Sequence, residues 1–464
     1  MEKIKSVPVS VWILWILTMV LVAVVPILRP DGGINLDALI YFDMAEKLPR
    51  VTTNIYPIGY PLLLRIVNVL FNDYYWSSKI LSTLSILAIG LFAIRKDFYV
   101  KPTIVLLSFK VFTMIFYYSL SETIFLPVLY FLVYYIYAFF HGKIKTGSFV
   151  IIAALLLFGL YTLRYNTVFI CLGLALFYLV YSYRLDRCRT FFRNGFFYFL
   201  LLSAVLIGLY IAVSMLLFPS MFGEDLRSDP IYKDLALFTT LNIIGSVNIL
   251  NPVYSIKFDT LYGSRILLQG VISLIDATFL FIGIKVMYRH RSYFKNPFWL
   301  SLLIVALVFF VCVFIVEYLN NIDPIYTRVV IVSSMFLMFI VLVMVQEQYP
   351  GKFKYAIGIG FFSILFNFVF AVRKPVNFLA YRERVSKVLP TKPKAIYFYD
   401  DSREPVPTVY SIPFTNKSVS YVHAYYQPGY IHKYILMLER PEMVPVEDIK
   451  GIDSSLIIFN SEIR

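Results

Sequence analysis

The feature that most constrains this chain is a succession of apolar runs of membrane-crossing length. They lie near residues 8–28, 77–94, 103–118, 123–140, 148–163, 166–183, 196–217, 266–287, 297–316, 329–346 and 354–372. A helix of about 20 apolar residues reaches across a hydrocarbon core of about 30 Å. The pattern therefore predicts an all-α polytopic membrane protein with about eleven transmembrane helices. Only 15% of the residues are charged, against about 25% in water-soluble domains, so the bilayer is the expected solvent. The first run is longer than the core of a signal peptide and carries no small-x-small cleavage site, and it reads as a retained anchor.

A formal net charge of +14 would point to nucleic acid in a soluble protein. Here the basic residues sit in short loops between apolar runs: Lys3 and Lys5, Arg95, Lys96 and Lys101, Lys143 and Lys145, Arg184 to Arg193, Arg289 to Lys295, and Lys352 and Lys354. These loops alternate along the spans, which is the positive-inside pattern, so no nucleic-acid partner is predicted and the N-terminus is placed in the cytoplasm. The opposite side receives a first outward loop (29–76), the turns at Ser119 to Glu122 and around Arg164, a long outward loop (218–265), the 317–328 loop and everything after 373. Cys171 and Cys312 fall within apolar runs and Cys188 in a basic loop, so no disulfide framework is expected. The four histidines are scattered without ligand spacing, and neither a metal nor a cofactor is predicted.

Residues 373–464 differ in character. Prolines recur from Pro375 to Pro413, and two β-rich runs, Ala395 to Tyr399 and Leu456 to Phe459, predict a small α+β extracytoplasmic domain after a membrane domain spanning 1–372. Between the two, Asn377 to Leu389 reads as an amphipathic helix at the membrane surface, with Arg382, Arg384 and Lys387 on its wet side.

The chemistry is expected in the outward segments, which hold most of the carboxylates. If Asp37 to Leu48 is helical, Asp37, Tyr41, Ala45 and Leu48 share a face by i, i+4 spacing, and Asp37 faces the apolar side. Asp is equally a favoured N-cap, and the two roles are compatible. Ser119-x-x-Glu122 has the spacing of a capping box and also places a carboxylate at the outer start of a span. Arg164 and Arg328 either snorkel to lipid headgroups or, since outward arginines run against the positive-inside bias, bind a specific anion. Pro57, Gly59 and Pro61 set a turn into a stretch too short to span. Lys79 lies near the outer edge, where lipid is its expected neighbour. Lys110 and Asp276 lie deep in their spans and are expected to pair, because a lone charge there is costly.

Several segments together resemble one superfamily. They are Asp37-Ala38-x-x-Tyr41, Ala45-Glu46-x-Leu48, Tyr56-Pro57-x-Gly59-Tyr60-Pro61-Leu62-Leu63, Ser121-Glu122, Leu163-Arg164 and Tyr326-x-Arg328. The chain is similar to the polyprenyl-phosphate-sugar-dependent glycosyltransferases of the C-type fold, which include protein O-mannosyltransferases and lipid A aminoarabinose transferases. The likeness runs over most of residues 1–372 and leaves out the tail. It implies an inverting transfer of a sugar from a polyprenyl-phosphate carrier to an extracytoplasmic protein, lipid or glycan. Asp37 would be the general base, Arg164 and Arg328 the donor-phosphate ligands, and Tyr41, Glu122 and Tyr326 the shaping residues. Many relatives carry a second acidic residue after the loop aspartate, where this chain has Ala38. With compact basic loops and no targeting extension, a bacterial inner membrane is expected. A surface-polysaccharide polymerase or ligase would instead use arginines of the long loop, here Arg227 and Arg265. A lipid or oligosaccharide transporter would show two related halves with broken helices at corresponding positions.

Overall fold

The computed structural model describes residues 7–29, 32–51, 53–218, 235–253, 265–320 and 324–372, together with strand segments between 396 and 461. Among the described residues, ten helices are long and apolar enough to cross a membrane, and a bent pair raises the number to eleven. In chain order the helices are α1 (Val9–Leu28), α2 (Leu36–Lys47), α3 (Gly59–Phe71), α4 (Tyr74–Lys96), α5 (Val100–Ser108), α6 (Lys110–Tyr117), α7 (Glu122–Phe140) and α8 (Thr146–Leu163). They continue with α9 (Thr167–Asp186), α10 (Gly195–Leu217), α11 (Leu235–Val247), α12 (Arg265–Arg289), α13 (Pro297–Asn320), α14 (Ile331–Gln348) and α15 (Phe353–Val372).

The expected span 103–118 is broken. Helices α5 and α6 meet at 68° around Phe109. No proline causes the break; the Lys110 N–H donates to the Pro252 carbonyl at 3.0 Å instead of continuing the helical ladder. Ser363 Oγ donates to the same carbonyl at 3.2 Å. The chain around 248–253 is thus wedged into the membrane domain, where its polar backbone finds the partners that lipid would deny it. This is the one bent pair among the described residues, whereas a transporter of related halves would need a matching second.

Helix α14 lies at the centre with most of its surface buried, whereas α10 and α12 are largely exposed and face lipid. Apolar side chains outside are the expected state of a lipid-facing helix, because the hydrophobic effect does not drive helices together in a bilayer. Packing and small residues do: a Cβ on Gly173 would collide with Val305, and one on Gly360 with Ser108 and Leu14.

The part of the long outward loop described here is not loop. Helix α11 folds back into the bundle, with Phe238, Leu241 and Asn242 buried. Asn242 Oδ1 accepts the Ile325 N–H at 2.7 Å. Gly245 is required there, since any Cβ would overlap the Ile325 carbonyl. The expected Lys110/Asp276 ion pair does not form. Lys110 Nζ lies 4.6 Å from the centroid of the Phe366 ring and 5.2 Å from that of Phe370, while Asp276 accepts a hydrogen bond from Asn251 Nδ2. Each charge is met by what the wedge and α15 supply, a cation–π contact for one and an amide donor for the other.

The loops segregate to two ends. At one end, the basic connections lie over an aromatic lattice: Phe98 to Tyr137 at 5.0 Å, Tyr99 to Trp299 at 5.5 Å and Phe298 to Trp299 at 4.7 Å between ring centroids. At the other end, the loop after α1 and the turns before α7, α9 and α14 converge. After the membrane helices, the described strands are β1 (Ile396–Tyr399), β2 (Tyr410–Pro413), β3 (Tyr421–His423), β4 (Ile431–His432), β5 (Tyr434–Met437), β6 (Met443–Pro445) and β7 (Ile457–Ser461), which form a five-stranded sheet in the order β4-β3-β1-β7-β6 and a two-stranded sheet pairing β2 with β5, with β1 parallel to both its neighbours. The expected surface helix at Asn377 to Leu389 lies outside the described residues, apart from residue 379.

Candidate functional site

The second end holds a chain of charges built from four separate segments. Asn35, not Asp37, caps α2: its side chain accepts the Ala38 N–H at 3.0 Å. Asp37, in the first turn, is left with its carboxylate free for other partners. Its Oδ1 accepts the Tyr56 hydroxyl at 2.7 Å, and its Oδ2 meets Arg328 NH2 at 2.5 Å. The Arg328 Nε binds Glu122 Oε1 at 2.7 Å. Arg164 NH1 forms an ion pair with the same Glu122 oxygen.

Glu122 is wholly buried, while the side chains of Asp37, Arg164 and Arg328 are 27%, 20% and 18% exposed. The cluster therefore has a sealed floor and an open rim. Two guanidiniums and two carboxylates sum to zero charge, which is how ionised groups persist at such depth. Burial works against the charge of both arginines, but Glu122, and for Arg328 also Asp37, outweighs it and leaves both pKa values raised.

The capping-box reading of Ser119 and Glu122 does not hold. Ser121 occupies the N-cap position without a side-chain cap bond, and its Oγ donates to Glu122 Oε2 at 3.3 Å. Ser119 Oγ instead bonds Ser78 Oγ at 2.7 Å and accepts from Lys79 Nζ at 2.8 Å. Lys79 is buried and away from lipid. Its ammonium also donates to the Tyr117 carbonyl at 2.9 Å and the Gly33 carbonyl at 3.3 Å. It staples the first outward loop to the end of α6. Gly33, at φ +64°, has no room for a side chain against the Tyr117 carbonyl.

Aromatic rings wall the site. Tyr41 lies 4.7 Å from Tyr56 and 5.0 Å from Tyr60, centroid to centroid, and its hydroxyl bonds Ser121 Oγ at 3.0 Å. Burial first, then the negative charges of Glu122 and Asp37, push the Tyr41 hydroxyl up; burial and Asp37 do the same to Tyr56. Both hydroxyls stay protonated, and Tyr56 is a permanent donor to Asp37. Tyr326 lies near enough to Arg328 to favour its charge. The 50–60 segment is tied down by Tyr165, whose hydroxyl donates to the Asn54 carbonyl at 2.9 Å, and by Tyr210, which accepts the Ile58 N–H at 3.2 Å.

The structure thus brings Asp37, Tyr41, Glu122, Arg164 and Arg328 into one cluster with Tyr326 beside it. Tyr56 stands in the sequence only as part of the Tyr56-Pro57-x-Gly59 motif, with no role of its own, and nothing in spacing alone reveals a contact across 19 positions. The side chains of Arg227 and Arg265 lie outside the described residues. Among the described residues, no group of three or more His, Cys, Asp or Glu side chains stands placed to hold a metal ion.

The arrangement of its helices gives this integral membrane protein the C-type glycosyltransferase fold. Among solved structures it is similar to ArnT from Cupriavidus metallidurans bound to undecaprenyl phosphate, at TM-score 0.52 and 12% identity over 84% of this chain and 82% of that one. The apo state of the same enzyme gives TM-score 0.51 and 13% identity over the same shares. No protein-family model matches the sequence, and no curated protein matches it.

Proposed function

We propose that the protein is a glycosyltransferase that moves a sugar from a polyprenyl-phosphate carrier to an acceptor on the extracytoplasmic side of the membrane, with inversion at the anomeric carbon. The observation that carries this reading is Asp37, a partly exposed carboxylate held between Tyr56 and Arg328 at the rim of a buried cation cluster. The fold supports the same reading, since ArnT of that fold is a structure with bound undecaprenyl phosphate.

In the reaction, the acceptor hydroxyl gives its proton to Asp37 as its oxygen forms the bond to the anomeric carbon. The bond from that carbon to the carrier phosphate breaks, and its electron pair stays on the phosphate. A positioned carboxylate contributes about 10²- to 10⁴-fold by taking the proton. Arg328 and Arg164 offset the charge that grows on the leaving phosphate. The leaving group is already a stabilised anion and needs no general acid. Tyr41, Glu122 and Tyr326 shape the site, and the charge of the basic loops supports a cytoplasmic aromatic end in a bacterial inner membrane. The acceptor is a protein, lipid or glycan.

The test is transfer from a panel of labelled polyprenyl-phosphate sugars by purified protein, comparing wild type with Asp37→Asn at matched folding. A fall in turnover of about 10²-fold or more is expected. Transfer at the wild-type rate by the variant would remove Asp37 as base. No transfer from any donor by folded wild type would move the assignment to a polymerase or ligase.

A further inference from the structure

The base and the phosphate ligand of the proposed reaction are bound to each other. Arg328 spends its NH2 on Asp37 Oδ2 at 2.5 Å and its Nε on Glu122 at 2.7 Å. The other Asp37 oxygen holds the Tyr56 hydroxyl. Both oxygens of the carboxylate are therefore engaged, and neither faces an incoming hydroxyl unaccompanied. The cluster is also electrically closed, with Arg164 and Arg328 balanced by Glu122 and Asp37. An anion entering it must displace one of the two carboxylates.

Only one of them can yield. Glu122 is wholly buried and shared by both arginines, so moving it would take that carboxylate from Arg164 and leave Arg328 with Asp37 alone. Asp37 sits at the open rim on the first turn of a loop helix, and it meets Arg328 through the outer nitrogen only. The guanidinium has five donors in a fixed fork, so it can keep its Nε on Glu122 and turn its NH2 edge to another anion.

We infer that the donor phosphate exchanges places with Asp37 on Arg328, so that the base is masked in the resting protein and released by donor binding. This rests on the glycosyltransferase reading and adds an order to it: donor first, then acceptor. Donor entry brings one negative charge, which Arg328 takes up while Asp37 keeps its own charge at the partly exposed rim, so the cluster gains one net negative charge. Transfer then moves a proton onto Asp37 while the phosphate gains the electron pair of the broken bond, leaving the total unchanged.

A masked base competes with the ligand for its arginine, which makes an unusual prediction: removing the catalytic charge tightens binding. The experiment titrates undecaprenyl phosphate into wild-type, Asp37→Asn and Asp37→Glu protein in nanodiscs, each first checked for a wild-type melting profile. Asp37→Asn is expected to bind about tenfold tighter than wild type, as loss of a competing ion pair permits. Asp37→Glu, which keeps the competing charge, should stay within about threefold of wild type. Equal or weaker binding by Asp37→Asn, with wild type binding well, would overturn the exchange and leave the glycosyltransferase reading standing. Equal tightening by both variants would overturn it too, since charge would not be the cause. Absence of binding by all three folded proteins would sink the exchange and the donor assignment together.

Discussion

The two ends of the bundle solve the same problem with different materials. At the basic-loop end, helices are joined by rings: Phe98, Tyr99, Tyr137, Phe298, Trp299 and Phe339 pack edge to face or tilted. The buried hydrogen bonds there are between neutral groups, such as the Tyr130 hydroxyl on the Phe98 carbonyl at 3.1 Å, and among the described residues carboxylates enter only at the exposed edge, as where the Tyr293 hydroxyl meets Glu347 at 2.6 Å. At the opposite end the joints are charges and hydroxyls: Glu122 under two arginines, Lys79 under two carbonyls and a serine. Ring packing is non-directional and tolerant, and it would hold the helices equally well at either end. A buried ion network costs desolvation that rings do not, so its presence at one end only, among the described residues, fits the reaction proposed there.

That contrast yields predictions of decreasing size. Glu122→Gln should be the most damaging, because it leaves two buried guanidiniums without their shared anion. A loss of about 3 to 5 kcal/mol is expected in detergent unfolding, with turnover lost in the fraction still folded. A variant that melts and turns over like wild type would erase the distinction between the ends. Phe298→Ala should cost about 3 kcal/mol of stability, yet leave turnover per folded molecule within about twofold. Selective loss of activity here would show that the aromatic end reaches the site.

The smallest effect concerns pH. The Tyr56 and Tyr41 hydroxyls have raised pKa values, so their contribution to stability is complete below the unfolded tyrosine value of about 10 and is lost as pH rises beyond it. Melting temperature should fall above about pH 10, and Tyr56→Phe should flatten part of that fall. An unchanged alkaline slope would mean that Tyr56 is not the buried donor described.

Much of this was legible in the sequence, for identifiable reasons. Spans follow from hydropathy because lipid leaves the backbone few alternatives. The face carrying Asp37 and Tyr41 follows from helical spacing, and the outward arginines stand out against the charge bias of the loops. What failed to show depends on contacts between distant segments. Asn35 took the cap that Asp37 was equally suited to, and only the fold decides between two capping residues two positions apart. Ser119 and Glu122 had the spacing of a capping box, but Arg164 and Arg328 offered Glu122 more than a backbone N–H can. The break at Phe109 has no local signature, because its cause is the carbonyl of Pro252. Lys110 and Asp276 were paired on charge and depth alone, and the inserted 248–253 segment and α15 supplied closer partners to each.

The sharing of Glu122 by two arginines has a consequence in time. Arg328 is 206 positions after Glu122, and at about 5 to 20 residues per second of synthesis it leaves the ribosome roughly 10 to 40 seconds later. Arg164 arrives much sooner and is the carboxylate's first companion while the later spans are still being made. The charge cluster is therefore among the last parts of the membrane domain to be completed, and a nascent chain that has not yet reached Arg328 would sit in the bilayer with most of its helices while Asp37 still lacks its guanidinium partner.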